Sequence, residues 1–232
     1  MRVERIRRGL AALSLLGLPL TAACGDQTEA AQRERRNPYA SIEDVPEALG
    51  PDGTTIIVGD PQRTPVHLYE DMRSSVCREV EVTGAGSTLL DMTLGKEVRT
   101  QYTLASGLDG RTGGTGSGKA ANALRAALEQ DRFAEYRAVL LLNQPDEKTD
   151  GYTDEFLLAM ASRVDGLRGP AFDSAVKDMR YADFVAASQK AYEAAGAPAP
   201  PAVDINGERL PDTQSDVMLV KDAVRLMLIT YR

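Results

Sequence analysis

Apolar and polar residues alternate along Pro65-Val66-His67-Leu68-Tyr69-Glu70, the period-two pattern of a half-buried strand. Thr54-Thr55-Ile56-Ile57-Val58 reads as a shorter strand before it, joined through the turn Gly59-Asp60-Pro61. Beyond these, Val76, Val80, Leu89, Leu90 and Met92 predict a helix, weakened where Thr83-Gly84-Ala85-Gly86-Ser87 interrupts it. Residues 98–104 return to strand character. Strand, helix and strand in this order predict half of a sheet with a right-handed crossover.

From residue 119 to 195 the composition turns to Ala, Leu, Arg and Glu, with breaks at Gln144-Pro145-Asp146, Asp165-Gly166 and Gly169-Pro170. Four or five helices are predicted, among them 120–130, 133–142, 154–164 and 183–193. Gly196-Ala197-Pro198-Ala199-Pro200-Pro201 stops the last of these. Residues 202–210 carry a hairpin signal with Asn206-Gly207 at the turn. A final amphipathic helix is predicted over 216–229, capped by Ser215, with Val217, Val220, Val224 and Leu228 on its apolar face.

The N-terminus has a different character. Arg2, Arg5, Arg7 and Arg8 precede an apolar run over residues 9–20, then Thr21-Ala22-Ala23-Cys24. The run falls short of the about 20 residues that span a bilayer, so residues 1–23 read as a signal peptide. Cys24 after Ala22-Ala23 resembles the lipobox of bacterial lipoproteins, although Thr21 stands where Leu is usual. Lipidation of Cys24 at an extracytoplasmic membrane face is one reading; an ordinary cleaved signal and a secreted chain is the other. Residues 24–52 show no period that would bury a face and read as a tether, with residues 53–232 as one domain. Removing residues 1–23, with four Arg and one Glu, takes the net charge from −7 to about −10, which argues against nucleic acid as a partner.

The chain contains two cysteines. If Cys24 carries lipid, Cys77 is left without an internal partner. Cys77 ends the stretch Asp71-Met72-Arg73-Ser74-Ser75-Val76-Cys77, between the predicted strand and helix. Strand, turn and Cys at a helix start is the setting of C-x-x-C redox motifs, and Ser74 occupies the place of the first sulfur.

This turn, the strand at 98–104 followed by helices, and Pro201-Ala202-Val203-Asp204-Ile205-Asn206-Gly207 together resemble the DsbA-like branch of the thioredoxin fold, particularly its secreted actinobacterial members. The resemblance implies an α/β fold of thioredoxin type with an inserted α-helical subdomain at about 118–195, and thiol-disulfide exchange outside the cytoplasm. It puts Ser74 on the attacking position, Cys77 on the resolving one, and Pro200 and Pro201 at the peptide-binding cis-Pro site. No cofactor is implied. A serine forms no mixed disulfide, and Pro200 has no N–H to offer a client peptide. Ser74 also suits a plain helix cap, worth about 1 kcal/mol against Ala. For Cys77, a small buried hydrophobe and a monothiol that exchanges with partners both fit.

Other candidates point away from chemistry. Gly113-Gly114-Thr115-Gly116-Ser117-Gly118-Lys119 satisfies G-x-x-x-x-G-K, but Ala120 replaces the Mg²⁺-binding hydroxyl and no strand precedes it, so a nucleotide is not expected. His67 has no second ligand at metal spacing. Glu70 and Asp71 could raise the pKa of a nearby thiol, although acids at a strand end are usually solvated, and Phe133, Tyr136, Tyr152 and Phe156 read as core. Two functions follow: a redox-defective scaffold that binds an extracytoplasmic protein, peptide or envelope component, or a thiol-disulfide oxidoreductase working through Cys77.

Overall fold

The structure, a computed structural model, describes residues 38–211 and 216–231. Among these, six strands form one sheet in the order β1-β2-β4-β3-β5-β6. They are β1 (Glu47–Leu49), β2 (Ile56–Val58), β3 (Thr64–Asp71), β4 (Val98–Ala105), β5 (Ala202–Ile205) and β6 (Glu208–Arg209). β3 and β4 run parallel from Thr64 opposite Val98 to Asp71 opposite Ala105, a pairing that requires a crossover. The crossover is α1 (Ser75–Val82) followed by α2 (Gly86–Leu94). All other strand pairs are antiparallel.

The interruption at 83–87 is a corner between two helices. An added Cβ on Gly84 would stand 2.3 Å from the Met218 carbonyl oxygen, and Ala85 N–H donates to that same oxygen at 2.8 Å. Glycine is needed there because the backbone of the C-terminal segment approaches so closely.

Between β4 and β5 the chain forms α3 (Gly107–Thr112), α4 (Gly116–Leu128), α5 (Phe133–Leu142), α6 (Asp154–Ala161), α7 (Pro170–Lys177) and α8 (Ala182–Ala194). The helical block therefore begins near residue 107, ahead of the expected 118, because Asp109-Gly110 lies inside a short helix. Phe133, Tyr136 and Tyr152 are buried, with Phe156 packed partly against them. The hairpin turns at Asn206 and Gly207, both with positive φ (53° and 83°), the demand that an Asn-Gly pair meets at least cost.

Two expectations need correction. Residues 38–52, assigned to the tether, are part of the fold: Val45 is buried, β1 extends the sheet edge, and Glu47 accepts the Phe133 and Ala134 N–H groups of α5, each at 2.7 Å. Those are free donors of a helix first turn, so the contact has a physical reason that no local period reveals. Residues 24–37 lie outside the described residues. The continuous C-terminal helix is the other correction. Residues Asp216–Leu219 form a 3₁₀ turn, and α9 (Ala223–Thr230) follows separately. The Met218 carbonyl is taken by Ala85 N–H, and the Lys221 carbonyl accepts the Thr88 hydroxyl at 2.6 Å, so both turn away from a helical ladder. Ser215 lies outside the described residues. No helix among them is long and apolar enough to cross a membrane.

Candidate functional site

The site forms where β3 ends and α1 begins. Alternation along β3 sends Val66, Leu68 and Glu70 to one face of the sheet and His67, Tyr69 and Asp71 to the other. Glu70 and Asp71 are not solvated, as their place at a strand end suggests, but buried at 0% and 1% exposure. Helices from the block cover the strand ends and bring the partners. Arg137 of α5 donates to both Glu70 carboxylate oxygens, at 2.8 and 2.6 Å, and to Glu81 of α1 at 2.8 Å, with its guanidinium 4.6 Å from the Tyr102 ring centre. On the opposite face, Asp71 accepts the Ser117 hydroxyl at 2.7 Å and the N–H groups of Arg73 and Leu108. Burial raises its pKa against the opposing pull of those hydrogen bonds.

The turn over residues 72–74 is held from the helical block. Tyr152 hydroxyl and the Gln144 amide both donate to the Met72 carbonyl, and Gln144 donates also to the Ser74 carbonyl. Arg73, buried at 1% exposure, pairs with Asp109 at 2.9 Å and donates to the Gly113 and Glu147 carbonyls. Glu147 in turn accepts the Ser75 N–H at 3.0 Å, and the Ser75 hydroxyl and amide hold its carboxyl below the ordinary pKa. A carboxylate thus stands at the positive end of α1.

The structure brings Ser74, Cys77, Pro200 and Pro201 together. Ser74 Oγ caps α1 by accepting the Cys77 N–H at 3.4 Å, and its hydroxyl donates to the Pro200 carbonyl at 3.0 Å. The Pro200–Pro201 bond is cis. Cys77 has no exposed surface and is a free thiol. Burial, and then the Glu70 carboxylate, push that thiol far above its usual pKa. At neutral pH it is protonated, and a thiol in that state is neither a nucleophile nor a metal ligand. Cys24 lies outside the described residues.

The glycine-rich loop has a structural use. Asp150 accepts the N–H groups of Thr115 and Gly116, Asp109 accepts those of Ser117 and Gly118, and Lys119 pairs with Asp154 at 2.9 Å. The amides that would cradle a phosphate in a nucleotide-binding loop are engaged by carboxylates. His67 Nε2 lies 2.9 Å from the Thr103 hydroxyl and its ring stacks on Tyr69 at 4.2 Å, a strand side chain between strand neighbours.

The sequence pattern assigned no site role to Arg73, Gln144 or Glu147, and marked Tyr152, which is indeed buried, only as core. The only local signal was the break at Gln144-Pro145-Asp146, which marks a loop without saying where it lands.

A parallel βαβ core flanked by antiparallel strands, a helix starting at the site turn, a cis-Pro facing it and a helical block between β4 and β5 define a thioredoxin-type fold of the DsbA-like kind. The chain belongs to the thioredoxin family, whose model matches residues 52–221. Among solved structures it is similar to the thiol-disulfide oxidoreductase MdbA of Corynebacterium diphtheriae, at 16% identity and TM-score 0.62, covering 78% of this chain and 94% of that one. BdbD of Bacillus subtilis is similar at 14% identity and TM-score 0.64, covering 84% and 98%. The disulfide bond oxidoreductase DsbG of Mycobacterium tuberculosis follows the same fold at 19% identity and TM-score 0.58, covering 83% and 96%. No curated protein matches it significantly in sequence.

Breaking the buried Glu70–Arg137 pair tests how far the site turn depends on the helical block. Arg137→Met leaves an uncompensated buried carboxylate and is expected to cost about 3–5 kcal/mol in urea unfolding. Adding Glu70→Gln to it should recover more than half. A loss below about 1 kcal/mol in the single variant would mean that Glu70 finds water or another partner.

Proposed function

We propose that this is an extracytoplasmic, membrane-anchored DsbA-like protein that does not cycle disulfides and instead binds an extracytoplasmic protein or peptide at the face around Ser74 and the cis-Pro. The observation that carries this reading is the Ser74 hydroxyl, fixed between the Cys77 N–H and the Pro200 carbonyl. Dithiol exchange begins when a thiolate attacks a disulfide sulfur, forming a mixed disulfide and expelling a thiolate; a second thiolate then releases the product. At the attacking position this chain has an oxygen, and at the other a fully buried, protonated thiol.

Peptide pairing at the cis-Pro is altered too. In an extended complex the residue before the proline offers both an N–H and a carbonyl. Pro200 has no N–H, and its carbonyl is already engaged by Ser74. A monothiol role for Cys77 is the alternative, and the same burial counts against it.

Two measurements test this reading. In insulin-disulfide reduction the wild-type domain is expected at buffer background, while Ser74→Cys, which restores a C-x-x-C pair, raises the rate by about tenfold or more. Wild-type activity equal to that of a C-x-x-C relative would overturn it. For the anchor, support comes from the residues around Ala22-Ala23-Cys24. Cys24→Ala should shift the mature protein out of the membrane fraction, and unchanged membrane association would remove the lipid from the account.

A further inference from the structure

Two cavities flank a ridge made by Pro198 and Pro200, which line both. One, of about 310 Å³, is walled by Val76, Val80, Ala199 and Leu219, with Asp216 also lining it, and is mainly apolar. The other, of about 110 Å³, lies between Ala105, Leu108, Arg111 and Tyr192. Arg111 sits in the last turn of α3, exposed to solvent. Among the described residues no carboxylate lies within ion-pair distance of it, and none takes the Tyr192 hydroxyl. Glu147 is close enough to feel the Arg111 charge but gives its oxygen to Ser75 N–H. Asp71 borders this cavity, with its oxygens engaged by Ser117, Arg73 and Leu108.

An exposed guanidinium that lines the same small cavity as a tyrosine and acts on it through its charge, on an acidic protein, fits a carboxylate that docks in a bidentate manner. We propose that the occupant is a peptide segment lying across the Pro198–Pro200 ridge, with an acidic side chain on Arg111 and Tyr192 and an apolar side chain in the larger cavity. The inference deepens the binding reading above and rests on it. With the backbone groups of Pro200 missing or engaged, strand-like pairing contributes little, and side-chain pockets on both sides of the ridge carry the recognition.

The test uses the mature protein with fluorescein-labelled peptides in which Leu and Glu are separated by zero, one or two Ser residues in a Gly-Ser background, alongside the same peptides with Gln in place of Glu. Fluorescence anisotropy should find at least one spacing whose Glu form binds about tenfold or more tighter than its Gln form. Arg111→Ala should erase that difference, and Val76→Ser should weaken both forms. Both side chains are exposed, so unfolding curves unchanged from wild type serve as the folding control. Equal binding of Glu and Gln forms, or a preference that survives Arg111→Ala, overturns the acidic pocket while leaving a peptide-binding role intact. Displacement by free glutarate at concentrations equal to the peptide's would put a small carboxylate there and overturn the peptide occupant. Binding of none of the peptides overturns the two-pocket occupant, while the proposed function stands or falls on the insulin-reduction result.

Discussion

The oxygen of Ser74 receives an N–H from the helix it starts and gives its proton to the carbonyl of Pro200, which is 126 residues away in the chain. Through this one group the first turn of α1 and the loop before β5 hold each other in place. A thiolate at the same position would need that helix end for its own charge and would leave the carbonyl free for a client. Here the helix end is supplied by a hydroxyl and by the Glu147 carboxylate on Ser75 N–H. The features that would make a sulfur reactive in this fold are present, and each is used for a static contact.

The turn stays where it is because the helical block grips it from several sides. Gln144 and Tyr152 hold its carbonyls, Arg73 is drawn inward to Asp109, and beneath it Glu70 and Asp71 are joined to α5 and α4 through Arg137 and Ser117. Buried charges of this kind are tolerated only when paired, so the sheet and the helical block cannot separate without exposing one of them. The inserted helices are thus part of the site's construction. They also deliver Tyr192 and, at their start, Arg111 to the far side of the Pro198–Pro200 ridge.

Local signals made much of the fold legible. Period-two alternation gave β3, helical spacing gave the helices of the block, and Asn206-Gly207 fixed the hairpin because both residues tolerate positive φ. The Ser-Ser-Val-Cys turn and the Pro200-Pro201 pair were legible as a site because their residue types are unusual in their settings. What escaped was long-range pairing. β1 has three residues and no amphipathic period; it is ordered by Glu47 reaching α5 from 86 residues away. Glu70 and Asp71 look like surface acids until Arg137 and Ser117 arrive. The C-terminal helix breaks because two of its carbonyls serve the α1–α2 corner, a contact without a signature in residues 216–229. Tyr192 and Arg111 carry no motif at all, and only the folded chain sets them beside one cavity.

The central claim is that the one thiol at this site is structural, and its reactivity tests that most directly. In a mature Cys24→Ser form, Cys77 is the only thiol, and its alkylation by N-ethylmaleimide is followed by mass in native and urea-unfolded protein. A buried, protonated thiol predicts negligible labelling of the native domain up to about pH 9, with stoichiometric labelling once unfolded. Fast native labelling, rising with a midpoint below about pH 8, would show an accessible thiolate and contradict the account.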